Sequence, residues 1–180
     1  MKNFILLITV LTIIISCVNF ESNENFTEKA NEKSSKIGYD ISDEGEKRDL
    51  EVGSLSNIEI WENYIKAHNE RDFSAIKSLD SKIFKARGPR GEFVDGIDAH
   101  IEFLTQWFDQ NSPTWKIKYI IANDLTTKGG ELREWVTAGH DLILTIEGKE
   151  VNASQIIDAR ISDGKIQEFF VHERLKGVNE

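Results

Sequence analysis

Residues 158–166 read Asp158-Ala159-Arg160-Ile161-Ser162-Asp163-Gly164-Lys165-Ile166. Asp-Gly between apolar-rich flanks is a strong two-residue hairpin signal, because the favoured turn needs positive φ at its centre. Working backward, Val151 to Ile161 reads as one strand. Glu147-Gly148-Lys149 turns it back into Leu132 to Ile146, and Lys128-Gly129-Gly130 turns that into Trp115 to Thr126. Working forward, Lys165 to Glu173 completes four long strands joined by short turns, as an antiparallel sheet requires.

The chain ahead of Trp115 has the other periodicity. Ser56-Asn57-Ile58-Glu59 fits a capping box, with Leu55 and Ile60 placed as a hydrophobic staple. Trp61, Tyr64, Ile65 and His68 then share one helical face. Asp72 is placed to cap a short second helix carrying Phe73, Ile76 and Leu79. Ile83 to Ala86 and Glu92 to Val94 flank the turn-rich Arg87-Gly88-Pro89-Arg90-Gly91. Asp95-Gly96 opens a third helix with Ile97, His100, Ile101, Leu104, Trp107 and Phe108 on one face, ended by Asn111-Ser112-Pro113. Helices first and antiparallel strands afterwards give an α+β class over residues 56–180.

The order of these words resembles a known superfamily. Trp61-x-x-Tyr64-x-x-Ala67 with Arg71-Asp72-Phe73-Ser74-Ala75-Ile76 is similar to the first helices of nuclear-transport-factor-2-like proteins. Val94-Asp95-Gly96-Ile97-Asp98-Ala99 resembles the glycine that opens their third helix. Gly148-Lys149 and the 158–166 hairpin resemble the SnoaL-like branch. The resemblance implies a cone of helices packed on a strongly curved antiparallel sheet. It implies a pocket inside the cone, and often pairing of two copies through the sheet. Three functions follow as expectations: binding of a small apolar molecule, cofactor-independent lyase, isomerase or hydrolase chemistry with a histidine base, or a non-catalytic dimerising scaffold. Fold alone does not choose among them.

The N-terminus is an address. Lys2 precedes an apolar run from Phe4 to Ile15, and Ile14-Ile15-Ser16-Cys17 resembles the lipobox of bacterial lipoproteins. The run is short against the ~20 residues of a membrane span, and a plain secretory signal needs no cysteine at its cut. The resemblance implies a signal peptide over residues 1–16, acylation of Cys17, and a protein held in the cell envelope facing the periplasm or the exterior. The bilayer, reached through Cys17, is then its first partner. Cys17 is the chain's one cysteine, so no disulfide framework holds the fold. Residues 18–55 carry ten acids against five bases with scattered apolar residues. That composition predicts a disordered acidic tether, and with the acylation that the resemblance implies, residues 17–55 form a lipidated, disordered acidic tether.

Candidate chemistry centres on histidine. His140 stands in the alternating row Val136, Ala138, His140, Leu142, Leu144, Ile146. An imidazole there is either a general acid or base in a pocket or a packed core residue with one hydrogen bond. His172 follows Ile166, Glu168 and Phe170 on the last strand. The resemblance to family dehydratases suggests a His140–His172 pair with Asp141, Asp158 or Asp95 as carboxylate. Trp61, Tyr64, His100, Trp135 and Arg160 are candidate ligand-binding residues, and His68 shares the helix face with Trp61 and Tyr64. Arg160 and Asp158 share a strand face, which equally suits a cross-strand ion pair. Tyr64 and Tyr119 show no carboxylate partner in the sequence, which weakens a steroid-isomerase-like reading. No cofactor motif is present. The four histidines are scattered without metal-ligand spacing, so no metal is expected. Residues 56–180 hold 21 acids and 16 bases, and their net charge of −5 argues against nucleic acid or an anionic membrane surface as a partner of the domain.

Overall fold

The structure is a computed structural model and describes residues 35–177. Cys17 and residues 1–34 lie outside the described residues, as do 178–180. In chain order the elements are β1 (Lys36–Ile41), β2 (Lys47–Val52), α1 (Leu55–Glu70), α2 (Phe73–Leu79), β3 (Asp80–Arg87), β4 (Phe93–Asp95), α3 (Ile97–Asn111), β5 (Thr114–Thr126), β6 (Leu132–Ile146), β7 (Lys149–Ser162) and β8 (Lys165–Leu175). The strands form one sheet in the order β1-β2-β5-β6-β7-β8-β3-β4. Neighbours are antiparallel except β3 and β8, which run parallel.

Local chemistry explains the helix ends. α1 starts two residues earlier than the capping box suggests. Ser54 is its N-cap and accepts from the Ser56 amide at 3.3 Å, while Leu55 is exposed. Asp72 caps α2 as expected, its Oδ1 accepting from the Ala75 amide at 2.9 Å. Gly96 opens α3 at φ 94°, a conformation that only glycine adopts readily.

The strand periodicity sorts side chains onto two faces. Val136, Ala138, His140, Leu142 and Leu144 of β6 point inward and are buried. Ala153, Gln155, Ile157, Ala159 and Ile161 of β7 lie beside them. Against this inner face pack Trp61, Tyr64 and Ile65 of α1, Ile76 of α2, and Leu104 and Phe108 of α3. These side chains form the core and close the cone.

Two expectations are corrected. Residues 36–52, assigned to the tether, form the β1–β2 hairpin. It turns through Ser42 and Gly45 and joins the sheet edge by pairing Glu51 with Asp124 and Val52 with Asn123. Ile37, Tyr39 and Ile41 remain half exposed, so burial does not hold it. Backbone ladders to an existing edge and the partly buried Arg48–Asp40 pair do. A composition argument, which weighs burial alone, overlooks this route to order. The second correction is on β8. A bulge lets Ile166 pair with Ile161 and Glu168 with Arg160, so Gln167 is the extra residue. Beyond it, Phe169, Val171 and Glu173 face inward, while Phe170 and His172 face outward.

Candidate functional site

Between the inner face, α1, α3 and the β3–β4 turn lies a cavity of about 110 Å³. Its walls are aromatic and aliphatic: Trp61, Trp107, Trp115, Phe103, Leu104 and Phe169 among them. Helical spacing aims Tyr64, His68 and His100 at it, and Gln155 and Glu173 reach it from β7 and β8.

Asp80 organises the helix side. It sits where α2 ends and β3 begins, with a fully buried side chain. Tyr64 donates its hydroxyl to Asp80 Oδ1 at 2.7 Å, and His100 donates Nδ1–H to Oδ2 at 2.8 Å. An ionised carboxylate only accepts, which fixes the Nδ1–H form of His100 and leaves Nε2 as its second nitrogen. Phe84 stacks on the His100 ring at 4.4 Å. Burial, with the Asp80 charge second, pushes the Tyr64 phenol well above its ordinary range, so it stays protonated. His68 donates Nδ1–H to the Tyr64 carbonyl at 2.8 Å. Burial first, and the neighbouring His100 second, push His68 down to about 3.

A second chain of hydrogen bonds runs along the sheet side. Trp115 donates Nε1–H to Gln155 Oε1 at 2.9 Å, and Gln155 donates Nε2–H to Glu173 Oε2 at 2.8 Å. Arg90, from the β3–β4 turn, closes the chain on Glu173 Oε1 at 2.7 Å.

The candidate residues divide between the two faces. Trp61, Tyr64 and His100 are brought together at the cavity. His140 is buried behind it and does not line it. Trp61 donates Nε1–H to His140 Nε2 at 3.1 Å, and Nδ1 has no partner among the described residues. Burial lowers His140 to about 4, so it is a neutral core imidazole. His172 is exposed on the outer face, placed there by the β8 bulge, so the His140–His172 pair is not formed. Asp141 also points outward. It is bound by Lys176 at 2.5 Å and Lys118 at 3.3 Å, which hold its carboxyl below the usual range. Arg160 donates Nε–H to Glu168 at 2.9 Å on the same outer face. Trp135 lies there too, its ring 6.3 Å from that of Phe170, in a groove shared with Tyr39 and Leu50.

Sequence reasoning missed Asp80, Gln155, Glu173 and Arg90. Tyr64 does have a carboxylate partner, and it is Asp80. Nothing in Leu79-Asp80-Ser81 marks that role, because it depends on a helix-to-strand junction. Gln155 was findable. It interrupts the apolar row Ala153, Ile157, Ala159, Ile161 just as His140 interrupts its own. Among the described residues, no three His, Cys, Asp or Glu side chains are grouped to hold a metal ion.

No family model matches the chain, and no curated protein matches it. Solved structures do. A putative ketosteroid isomerase from Kribbella flavida DSM 17836 aligns with TM-score 0.55 at 11% identity, over 68% of this chain and 80% of its own. An LEH-like epoxide hydrolase of M. tuberculosis aligns with TM-score 0.56 at 15% identity, over 67% and 84%. A putative SnoaL-like polyketide cyclase from Jannaschia sp. CCS1 aligns with TM-score 0.52 at 14% identity, over 66% and 85%. At such identities the likeness speaks for the fold. With its curved, mostly antiparallel sheet and three helices among the described residues, this domain has the α+β cone fold of nuclear-transport-factor-2-like and SnoaL-like proteins.

Proposed function

We propose that this domain binds a small, largely apolar molecule in the cone, displayed outside the cytoplasm on an acylated Cys17. One observation carries the binding reading. An aromatic-walled cavity opens over the buried Tyr64–Asp80–His100 network. Pockets of this kind, apolar with a few fixed polar groups, are the usual form of small-molecule sites. Size narrows the ligand. A cavity near 110 Å³ is comparable to the roughly 150 Å³ that takes up benzene. A body of about one ring fits, and a steroid does not fit without opening of the β3–β4 turn. Trp61, Trp107 and Trp115 line the cavity, so their fluorescence reports occupancy. Saturable quenching by small aromatic compounds is expected, and its absence across such a panel would reject the reading.

A second reading rests on the Asp80–His100 pair. A carboxylate that holds Nδ1–H leaves Nε2 able to take a proton from a bound molecule, with the Tyr64 hydroxyl held alongside. Proton-transfer chemistry on an epoxide or an enolisable ketone would follow, without a cofactor. Turnover that survives His100→Gln would exclude it. Attachment has its own test. Cys17→Ser should abolish fatty-acid labelling and release the chain from membranes, and labelling that persists would refute the anchor.

A further inference from the structure

We infer that the ligand of this cavity carries a cationic amine head, received by Glu173 at the cavity mouth; this rests on the binding reading above. The Glu173 side chain is only 7% exposed, yet its charge balance comes from a residue at the surface. Arg90 is 66% exposed and reaches Glu173 Oε1 at 2.7 Å. A carboxylate this buried needs a cation or strong donors beside it. An exposed guanidinium on a turn is a weak holder of that position, because exposed pairs contribute little and sacrifice side-chain freedom. Gln155 satisfies the other oxygen from within the fold. Arg90 therefore acts as an exchangeable counter-ion, and a ligand ammonium can replace it on Oε1 while Gln155 stays in place.

The rest of the lining agrees. Beside the imidazoles, the ionisable side chains lining the cavity are Arg90, Glu92, Glu173 and Tyr64. Tyr64 is held protonated. Two carboxylates against one guanidinium leave an excess negative charge at the mouth. Glu92, one of the two, accepts the Arg90 backbone amide on Oε2 at 2.8 Å. Trp107 and Trp115, ring centroids 5.5 Å apart, both line the cavity, and indole is the strongest aromatic partner for a cation. An anionic ligand would meet two acids, and a wholly apolar one would leave Glu173 dependent on Arg90.

The test is calorimetric titration of the 180-residue chain with benzylamine, benzyl alcohol and benzoate at low salt. Benzylamine is expected to bind about tenfold more tightly than benzyl alcohol, a difference of about 1.4 kcal/mol, and benzoate least. Glu173→Gln should erase the preference for the amine while circular dichroism shows an intact fold. Arg90→Ala should tighten benzylamine binding by removing the competitor. The inference is overturned if benzyl alcohol binds as well as the amine, if the preference survives Glu173→Gln, or if Arg90→Ala weakens amine binding. Binding of benzyl alcohol without preference would overturn the amine alone. Failure of all three compounds to bind would overturn the cavity reading with it.

Discussion

The two faces of one sheet are built from alternate residues of the same strands, yet they run on different chemistry. On the inner face of β7, Ala153, Ile157 and Ala159 are at most 5% exposed, and the polar groups beside them are locked by hydrogen bonds. On the outer face, Ile156, Ile143 and Ile121 are 40–50% exposed among ion pairs such as Arg160–Glu168 and Lys176–Asp141. Histidine shows the difference most clearly. His140 inside is held neutral by burial, whereas His172 outside meets solvent. A side chain's role here follows from its parity, and a single extra residue, Gln167, exchanges roles along the rest of β8.

The sharpest challenge to this contrast uses neighbours. Ile157→Lys would place an ammonium in the cavity wall and is expected to cost on the order of 5 kcal/mol or prevent folding, read by denaturant titration. Next is Asp80→Ala. It leaves the Tyr64 hydroxyl and the His100 N–H without their acceptor, and about 2–6 kcal/mol should be lost, at roughly 1–3 kcal/mol per orphaned buried donor. Third is acid. His68 and His140 are lowered from 6.5 to about 3 and about 4. The unfolded chain therefore takes up protons that the folded one refuses. Stability is full above 6.5 and falls as pH drops toward 4, by roughly 1 kcal/mol per pH unit for each histidine. His140→Gln should flatten that slope in denaturation curves recorded from neutral pH down to pH 4.5. The smallest effect belongs to Ile156→Lys, expected within about 0.5 kcal/mol of the parent. If the outer face pairs with a second copy, the same substitution should turn a sedimenting dimer into a monomer.

The sheet was legible because its signals are local. Asp163-Gly164 and Gly148-Lys149 set the hairpins, and the row through His140 was assigned to the buried face by period alone. The site was legible only in part. Trp61, Tyr64 and His100 share helix faces that any fold of this class turns inward. Asp80 was hidden because its meaning lies in two partners 16 and 20 residues away, on different helices. His172 was misplaced by a bulge with no mark in Lys165-Ile166-Gln167-Glu168. The β1–β2 hairpin was hidden for a third reason. Its order comes from docking to β5, and composition does not record what a segment docks against.

That hairpin also sets how tension would travel. The chain preceding Ser35 enters the domain through β1, and only then come β2, Gly53 and α1. β2 holds the edge through Glu51 and Val52 alone, with the Gly53 amide on Ala122 O at 3.0 Å. A pull on the N-terminal side would therefore unzip β1–β2 first, pair by pair, while the longer ladders of β5 through β8 stay closed. The hairpin would serve as a mechanical fuse, yielding a length of slack that caps the force passed on to the cone.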